Sequence, residues 1–420
     1  MIEKEKYEYL MEEANRCIQC KNAKCSKYCP IATQIPEVIS LFLEGKEEEA
    51  GEILFNNNPL SLVCAVVCPH ETQCSGHCIR GIKGEPIHFY EMERELSYKY
   101  LKNTTFHPVE ADKDRIAIIG GGPAGITIAF ILASRGYKIT IFDAHDKIGG
   151  VLRYGIPDFR LDKSYIDLIE EKLVELGVKI RPNMLIGPVV NLERLFEDGY
   201  TAVFIGTGVW NPKTLNIKGE TLGNVHYAID YLKSPEVFRL GERVVVIGAG
   251  NVAMDAARTA IRRGAKKVTV VYRKGEEQMS ATKLEIREAR EDGVEFLFYR
   301  APEEVTEEGV VISATENEVQ EDGSIVTRIL ENSKELFACD TVIIAVSQTP
   351  KANIVSTTTE LNTSRWGLLI TDEVGNTTKK GTFASGDVVT GARTVVEAVV
   401  RAKVVADTMD AYCQGKREGI

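Results

Sequence analysis

The chain has 420 residues, of which 44% are hydrophobic and 27% are charged, and its formal net charge is −10 at pH 7. This composition is ordinary for globular domains, and the length suggests two to three of them. The acidic balance does not favour nucleic acid as a partner, because phosphate backbones attract basic surfaces. The N-terminus is charged from residue 3 onward and the apolar runs are short, which predicts a soluble, cytoplasmic protein with no membrane partner.

The first block, residues 1 to about 110, is predicted to be helical. Apolar residues recur at helical spacing in Pro36–Glu44 and Glu47–Phe55, and Glu91–Leu101 is predicted to form a further helix. The segment His107–Asp114 is polar and contains a proline, so it is predicted to be a linker.

Eight of the ten cysteines lie inside this helical block, in two sets of four. The first set has the spacing Cys17-x2-Cys20-x4-Cys25-x3-Cys29-Pro, and the second has the spacing Cys64-x3-Cys68-Pro-x4-Cys74-x3-Cys78. Thiolates are soft ligands that suit iron–sulfur clusters or zinc, and eight of them match two 4Fe–4S clusters.

Structural zinc and a disulfide scaffold are the alternatives for these cysteines. Zinc sites usually pair two Cys-x2-Cys knuckles, whereas only one such pair occurs here. A reducing cytosol disfavours disulfides. The remaining two cysteines, Cys339 and Cys413, stand alone and are expected to be small buried hydrophobes.

Residues 115–145 follow the order strand, glycine turn, helix, strand. In the turn, Gly120, Gly122 and Gly125 occupy the positions of a Gly-x-Gly-x-x-Gly motif, which permits a tight turn, close approach of a pyrophosphate, and helix–strand packing. Asp143 ends the second strand, where a carboxylate can accept hydrogen bonds from ribose hydroxyls. The combination predicts a dinucleotide-binding unit.

Residues 243–274 repeat this order, with Gly248, Gly250 and Ala253 at the three motif positions. The second strand of this unit ends without an acid, in the pair Arg273-Lys274. A basic pair there favours the 2′-phosphate of NADPH over NADH. The alternative is a solvated surface pair, because the acidic residues Glu276 and Glu277 follow closely.

The end of the chain contains one more nucleotide-type segment, TFASGDVVTG at Thr382–Gly391, before a predicted helix at Thr394–Met409.

Together these motifs resemble the glutamate synthase small-subunit family, which includes the flavin subunit of dihydropyrimidine dehydrogenase and the large subunit of bifurcating NADH-dependent ferredoxin:NADP oxidoreductase. The resemblance covers nearly the whole chain. It is carried by EANRCIQC…CSKYCP, LVCAVVCP…CSGHC, IGGGPAG, IGGVLRYGIPDFRL, IGAGNVAMDAA and ASGDVVTGARTVVEAV.

The resemblance implies an α/β fold of two Rossmann-like domains preceded by an all-α iron–sulfur domain. In that division, residues 1–110 bind two 4Fe–4S clusters, residues 111–224 and 346–420 bind FAD, and residues 225–345 bind NADPH as an insertion. NADH is possible as an alternative donor, because the arginine that the eukaryotic enzyme has further downstream is replaced by Ser280.

The resemblance also implies a set of site residues. One cluster would be held by Cys17, Cys20, Cys25 and Cys78, and the other by Cys29, Cys64, Cys68 and Cys74. The implied FAD residues are Gly120, Gly122, Gly125, Asp143, Gly150, Arg160, Gly386, Asp387 and Thr394. The implied NADPH residues are Gly248, Gly250, Asn251, Val252, Arg273 and Lys274. Two positions differ from the family pattern: Asp143 stands in place of the commoner glutamate, and Ala402 in place of a glycine.

The expected activity is hydride transfer from NADPH to FAD, followed by single-electron transfer through the clusters to a catalytic partner subunit. No catalytic acid or base is nominated, because hydride transfer needs none. The alternative is a stand-alone or bifurcating NAD(P)H:ferredoxin oxidoreductase. An assembly scaffold is disfavoured by the intact glycine motifs.

Overall fold

Helices fill the first hundred residues, and strands alternate with helices thereafter. The computed structural model describes residues 2–111, 113–320 and 324–418. Its α-helices are α1 (Ile2–Asn15), α2 (Lys24–Lys27), α3 (Ile35–Leu43), α4 (Glu47–Asn57), α5 (Ser61–Val67), α6 (Phe89–Asn103), α7 (Pro123–Ser134), α8 (Val151–Tyr154), α9 (Lys163–Glu175), α10 (Leu192–Glu197), α11 (Ala228–Lys233), α12 (Asn251–Arg262), α13 (Lys283–Glu291), α14 (Asp387–Thr390) and α15 (Val395–Glu418). Short 3₁₀ turns occur at His70–Thr72, Ser75–His77, Ile79–Ile82, Pro235–Val237, Glu276–Gln278 and Val355–Thr357.

The strands fall after residue 114. They are β1 (Arg115–Ile119), β2 (Lys138–Phe142), β3 (Lys179–Arg181), β4 (Tyr200–Ile205), β5 (Asn211–Pro212), β6 (Val225–Tyr227), β7 (Arg243–Ile247), β8 (Lys267–Tyr272), β9 (Glu295–Phe298), β10 (Arg300–Thr306), β11 (Gly309–Val319), β12 (Ile325–Ile329), β13 (Glu335–Ala338), β14 (Thr341–Ile344), β15 (Gln348–Thr349) and β16 (Thr382–Ala384).

The N-terminal helices share one apolar core. In α3, the buried residues Ile35, Val38, Ile39 and Phe42 follow the spacing of one helix face. This face packs with buried residues of α1, α4 and α6. The predicted helical block is therefore present, with α6 longer than predicted by two residues at each end. Of the predicted linker, Asp112 lies outside the described residues.

The first sheet has the order β16-β4-β1-β2-β3, and all its neighbouring strands are parallel. Strands β1 and β2 are buried at every position except the first, as expected for strands covered on both faces. Strand β16 comes from the end of the chain, so the first nucleotide sheet is completed only after a long insertion.

That insertion carries the second parallel sheet, with the order β6-β14-β7-β8-β9. A smaller antiparallel sheet follows, in which β11 pairs with β10, β12 and β13. The fold is therefore the predicted one: two Rossmann-like domains, the second inserted within the first, preceded by helices. The antiparallel sheet was not predicted from the sequence.

The chain divides into two compact units. The first comprises Met1–Leu152, Asp158–Val209 and Pro350–Ile420, and the second comprises Arg153–Pro157 and Trp210–Thr349. The domain boundaries given above at residues 110, 224 and 346 remain predictions. In the part of the chain that the structure describes, no helix combines the length and apolarity needed to cross a bilayer.

Candidate functional site

The cysteines of the helical block gather into two groups. Cys17, which follows α1, lines a cavity of about 100 Å³ together with Cys20, Cys25 and Cys78. Burial raises the pKa of Cys25, and the thiols of Cys78 and Cys17 raise it further. Because like charges act mainly over short distances, these thiols are close neighbours. Cys74 also borders this cavity.

The second group forms around α5. A hydrogen bond with the Cys64 thiol and burial raise the pKa of Cys68, which caps the C-terminus of α5. Burial raises the pKa of Cys74 to about 12, and the Glu93 carboxylate and the Cys29 thiol contribute to the shift. Cys68 therefore interacts with Cys64 and Cys74, and Cys74 interacts with Cys29. The assignment of the eight cysteines to two sets of four ligands stays a prediction.

The ten cysteines are all free thiols, with Cys64 and Cys74 buried and the other six of the two groups partly exposed. Zinc would require ligands that converge on one ion. Within the described residues, no three His, Cys, Asp or Glu side chains are arranged to hold a single metal ion. A 4Fe–4S cluster is bound differently, because each thiolate binds a separate iron atom.

Two titratable residues near the second group were missed by the sequence analysis. Glu93 of α6 is buried, and burial together with the Cys64 thiol raises its pKa well above the ordinary value. Burial lowers the pKa of His70 to about 4, and its ring stacks on that of Tyr90 with centroids 4.4 Å apart. The positions of Glu93 and His70 depend on how α6 packs, so no local sequence motif predicts them.

The first glycine turn connects β1 to α7. Gly120 has φ +101°, and a Cβ there would lie 2.5 Å from the carbonyl oxygen of Gly206. A Cβ on Gly125 would lie 2.0 Å from the carbonyl oxygen of Gly120. Gly122 is the N-cap of α7, so the first N–H groups of the helix are available to an anion. A side chain at Gly120 or Gly125 would therefore collide with the backbone of the turn.

Asp143, which directly follows β2, forms a hydrogen bond with the backbone of this turn. It is buried, and its Oδ2 accepts a hydrogen bond from the Gly121 N–H at 2.7 Å. Its Oδ1 accepts from the His145 N–H at 2.8 Å. Since a carboxylate offers about four acceptor positions, Asp143 retains capacity for a ribose hydroxyl.

Two further predicted FAD residues, Gly150 and Gly386, pack against the segment that forms this turn. A Cβ on Gly150 would lie 2.9 Å from the Cα of Gly122, and one on Gly386 would lie 3.3 Å from the Cβ of Ala124 in α7. Asp387 is mostly buried, which raises the pKa of its carboxyl group to about 6. Its Oδ1 accepts from the Arg393 N–H at 3.2 Å.

The remaining two predicted FAD residues lie in other segments of the chain. Arg160 is partly exposed in the segment before α9. Thr394 caps α15, because its hydroxyl donates to the Glu397 carboxylate at 2.6 Å while the Glu397 N–H donates back at 3.4 Å.

The second glycine turn connects β7 to α12. Gly248 has φ +133°, and a Cβ there would lie 2.3 Å from the carbonyl oxygen of Ala345. Gly250 is the N-cap of α12, and Asn251 and Val252 are the first residues of the helix. The Asn251 side chain accepts from the Thr282 N–H at 3.0 Å, which ties the segment before α13 to this turn.

The basic pair follows β8. Arg273 is exposed and Lys274 is partly exposed. The two acids that follow are engaged elsewhere: Glu276 pairs with Arg290 at 2.6 Å, and Glu277 accepts from the Gln278 amide at 2.8 Å. Across residues 2–111, 113–320 and 324–418, neither basic side chain forms an ion pair. The pair is therefore available to an anionic ligand.

Comparison with known proteins gives the family. The glutamate synthase [NADPH] small chain of Halomonas elongata is 35% identical, over 92% of this chain and 87% of its own length. That of Azospirillum brasilense is 32% identical, over 97% and 90% respectively. The chain belongs to the glutamate synthase small-chain family.

Two domain families match within the chain. Residues 114–402 match the pyridine nucleotide-disulphide oxidoreductase family, and residues 2–105 match the 4Fe–4S domain II of dihydropyrimidine dehydrogenase. Mycobacterium tuberculosis FprA in complex with NADPH has the same fold, with a TM-score of 0.66 and 20% identity over 73% of this chain and 86% of FprA. This member of the small-chain family is an NADPH-dependent FAD oxidoreductase with a 4Fe–4S domain.

Proposed function

We propose that this chain takes hydride from NADPH onto FAD and passes single electrons through two 4Fe–4S clusters to a catalytic partner subunit. The observation that supports the proposal is that the eight cysteines of the helical block lie in the unit that also contains the first glycine turn, with Cys17, Cys20, Cys25 and Cys78 at one cavity. One two-electron site and two one-electron sites would then share a unit.

The first glycine turn fits FAD. Gly120 and Gly125 leave space where a Cβ would collide with backbone, and the N-terminus of α7 presents N–H groups to a pyrophosphate. Asp143 supplies an acceptor for a ribose hydroxyl, while Gly386 and Asp387 bring the end of the chain to α7. When bound, FAD would accept a hydride and release its electrons one at a time.

The two thiol groups fit iron–sulfur clusters by the chemistry of their donors. Thiolates bind iron, and the ligand sets would be Cys17, Cys20, Cys25 and Cys78 for one cluster and Cys29, Cys64, Cys68 and Cys74 for the other. The raised thiol pKa values mean that ligation must displace protons. A reducing cytoplasm would keep these cysteines available, so we place the protein there.

The second glycine turn would bind NADPH through Gly248, Gly250, Asn251 and Val252. Arg273 and Lys274 would donate charge-assisted hydrogen bonds to the 2′-phosphate, since neither is neutralised by the neighbouring acids. The protein's part in hydride transfer is to orient the nicotinamide and to exclude side reactions, so no side-chain acid or base is assigned.

The partner is inferred from the relatives, which are small chains of an enzyme with NADPH-dependent glutamate synthase activity. The isolated chain is expected to reduce ferricyanide with NADPH and to form no glutamate until the large subunit is added. Glutamate formation from glutamine and 2-oxoglutarate by the single chain would contradict the proposal.

A cysteine variant tests the route of the electrons. Cys29→Ser should abolish turnover with the partner and leave flavin reduction by NADPH unchanged, because hydride transfer occurs before the clusters. Cys339→Ser is the matched control, since Cys339 is buried in the second unit, outside both thiol groups. Equal loss of partner turnover in both variants would show that the effect does not arise from a cluster.

A further inference from the structure

A line of hydrogen bonds connects Cys29 to the last helix of the chain. The Thr33 hydroxyl lies 3.3 Å from the Cys29 Sγ. At the end of α4, the Asn57 Nδ2 donates to the Thr33 hydroxyl at 3.5 Å and to the Ile31 carbonyl oxygen at 3.1 Å. The Lys403 Nζ, on α15, donates to the Asn57 Oδ1 at 3.1 Å and to the Asn57 backbone oxygen at 2.8 Å. All of these residues belong to the first compact unit.

The chemistry of the donors gives this line a single direction. A lysine ammonium group only donates, so the atom of the Asn57 amide that faces Lys403 is the oxygen. The Asn57 NH₂ group therefore faces Thr33 and donates to its hydroxyl oxygen. The proton of that hydroxyl needs a different acceptor. In the segments that the structure describes, the acceptor within hydrogen-bond distance is the Cys29 Sγ. Each bond of the line thus donates toward Cys29.

Burial makes this arrangement more than a helix cap. Thr33 is buried, and a buried hydroxyl that lacks a partner destabilises the fold. Lys403 caps the C-terminus of α4 through the Asn57 backbone oxygen, which satisfies a carbonyl group left free by the helix. That cap does not require the second bond of Lys403, to the Asn57 side chain. The second bond orients the amide toward Thr33, and Thr33 toward Cys29.

We infer that Thr33 is a positioning residue for the cluster that Cys29 binds, and that its hydroxyl, oriented by Asn57 and Lys403, raises the reduction potential of that cluster. The inference rests on the proposed function, because it needs Cys29 to be a cluster ligand. A cysteine ligand is a thiolate and has no proton to donate, so the Thr33 hydroxyl must be the donor of their hydrogen bond.

The sign of the effect follows from charge. Reduction adds one electron to the cluster, while the Thr33 proton stays on its oxygen and no bond forms or breaks. Hydrogen bonds to the sulfur atoms are among the features that set the potential of a 4Fe–4S cluster. The reduced cluster carries one more negative charge, so a donor stabilises it more than the oxidised cluster. The Lys403 cation at the far end of the line acts in the same direction.

The test is a redox titration of the full-length, cofactor-loaded protein, followed by EPR. The signal that Cys29→Ala removes identifies the cluster of Cys29. Thr33→Val replaces the hydroxyl by a methyl group, whereas Thr33→Ser keeps the hydroxyl, and Lys403→Met removes the cation. Thr408→Val is the matched control, because it makes the same change on α15, where the hydroxyl bonds to backbone carbonyl oxygens.

At a fixed potential, Thr33→Val should lower the ratio of reduced to oxidised Cys29 cluster at least about threefold. This is a potential about 28 mV lower, since a tenfold change is about 59 mV for one electron. Lys403→Met should lower the ratio by about twofold, because its effect passes through two hydrogen bonds. Thr33→Ser should stay within about 1.5-fold of the unmodified protein. Thr408→Val should shift neither cluster, and the other cluster should keep its potential in every variant.

An unchanged potential in Thr33→Val would overturn the inference. An equal fall in Thr33→Ser would also overturn it, because altered packing rather than the lost hydroxyl would then be the cause. If Thr33→Val does not retain the cluster, Lys403→Met decides, and an unchanged potential there overturns the inference. A failure of the proposed function is distinguishable, since the unmodified protein would then show no 4Fe–4S signal at all.

Discussion

The basic pair after β8 yields a prediction about the choice of nucleotide. Replacing Arg273 by alanine removes one donor to the 2′-phosphate of NADPH and leaves every group that NADH shares. A hydrogen bond to a charged group contributes about 1.5–3 kcal/mol. Arg273 is exposed, so water screens the interaction and the lower value applies. About 1.5 kcal/mol corresponds to roughly a tenfold change in kcat/KM.

The assay is steady-state reduction of ferricyanide with each nucleotide. Arg273→Ala should lower kcat/KM for NADPH about tenfold, mainly through KM, and change that for NADH by less than about twofold. Arg239→Ala, at another exposed arginine of the second unit, is the control and should change neither value. A preference for NADH in the unmodified protein that persists in Arg273→Ala would refute the reasoning and show that the pair is a solvated surface feature.

Two further predictions concern the thiols and the flavin region. Cys78→Ser and Cys20→Ser should damage the same cluster, with the same EPR signal lost in both and the other cluster retained; different signals lost would contradict the grouping. In flavin-free protein, Asp387→Asn should stabilise the fold at pH 8 by up to ~3 kcal/mol and by roughly half of that at pH 5. Burial raises the pKa of the Asp387 carboxyl group in the folded state from 3.8 to about 6, so the unmodified protein loses stability as the pH rises through this range. Asparagine does not ionise, so the variant avoids this loss. Urea unfolding at both pH values measures the effect, and a variant less stable at pH 8 would contradict it.

Local patterns predicted much of the fold. The segments RIAII and RVVVI form strands that end in glycine turns, because apolar β-branched residues followed by such a turn leave the chain few other conformations. The antiparallel sheet around β11 was not predicted, since its pairing joins Gly309–Val319 to strands on both sides in sequence and depends on contacts that no short motif encodes. Similarly, α15 continues to Glu418, beyond the predicted Met409, because buried side chains recur as far as Cys413.

The residues of the candidate site likewise fall into those that a local motif predicts and those whose positions depend on tertiary packing. The glycines of both turns were identified from spacing alone, because their roles depend on neighbours a few residues away. The grouping of Cys78 with Cys17 came from the family resemblance, and the structure brings these thiols to one cavity. Glu93 and His70 could not be found from sequence, since their burial beside the second thiol group depends on tertiary packing.

The central claim is that this single chain carries one flavin and two 4Fe–4S clusters. It is tested most directly by measuring iron, acid-labile sulfide and FAD in anaerobically purified protein. Roughly eight iron and eight sulfide are expected for each FAD, because two clusters with four thiolates each require that stoichiometry. About four iron per FAD, or zinc without sulfide, would contradict it.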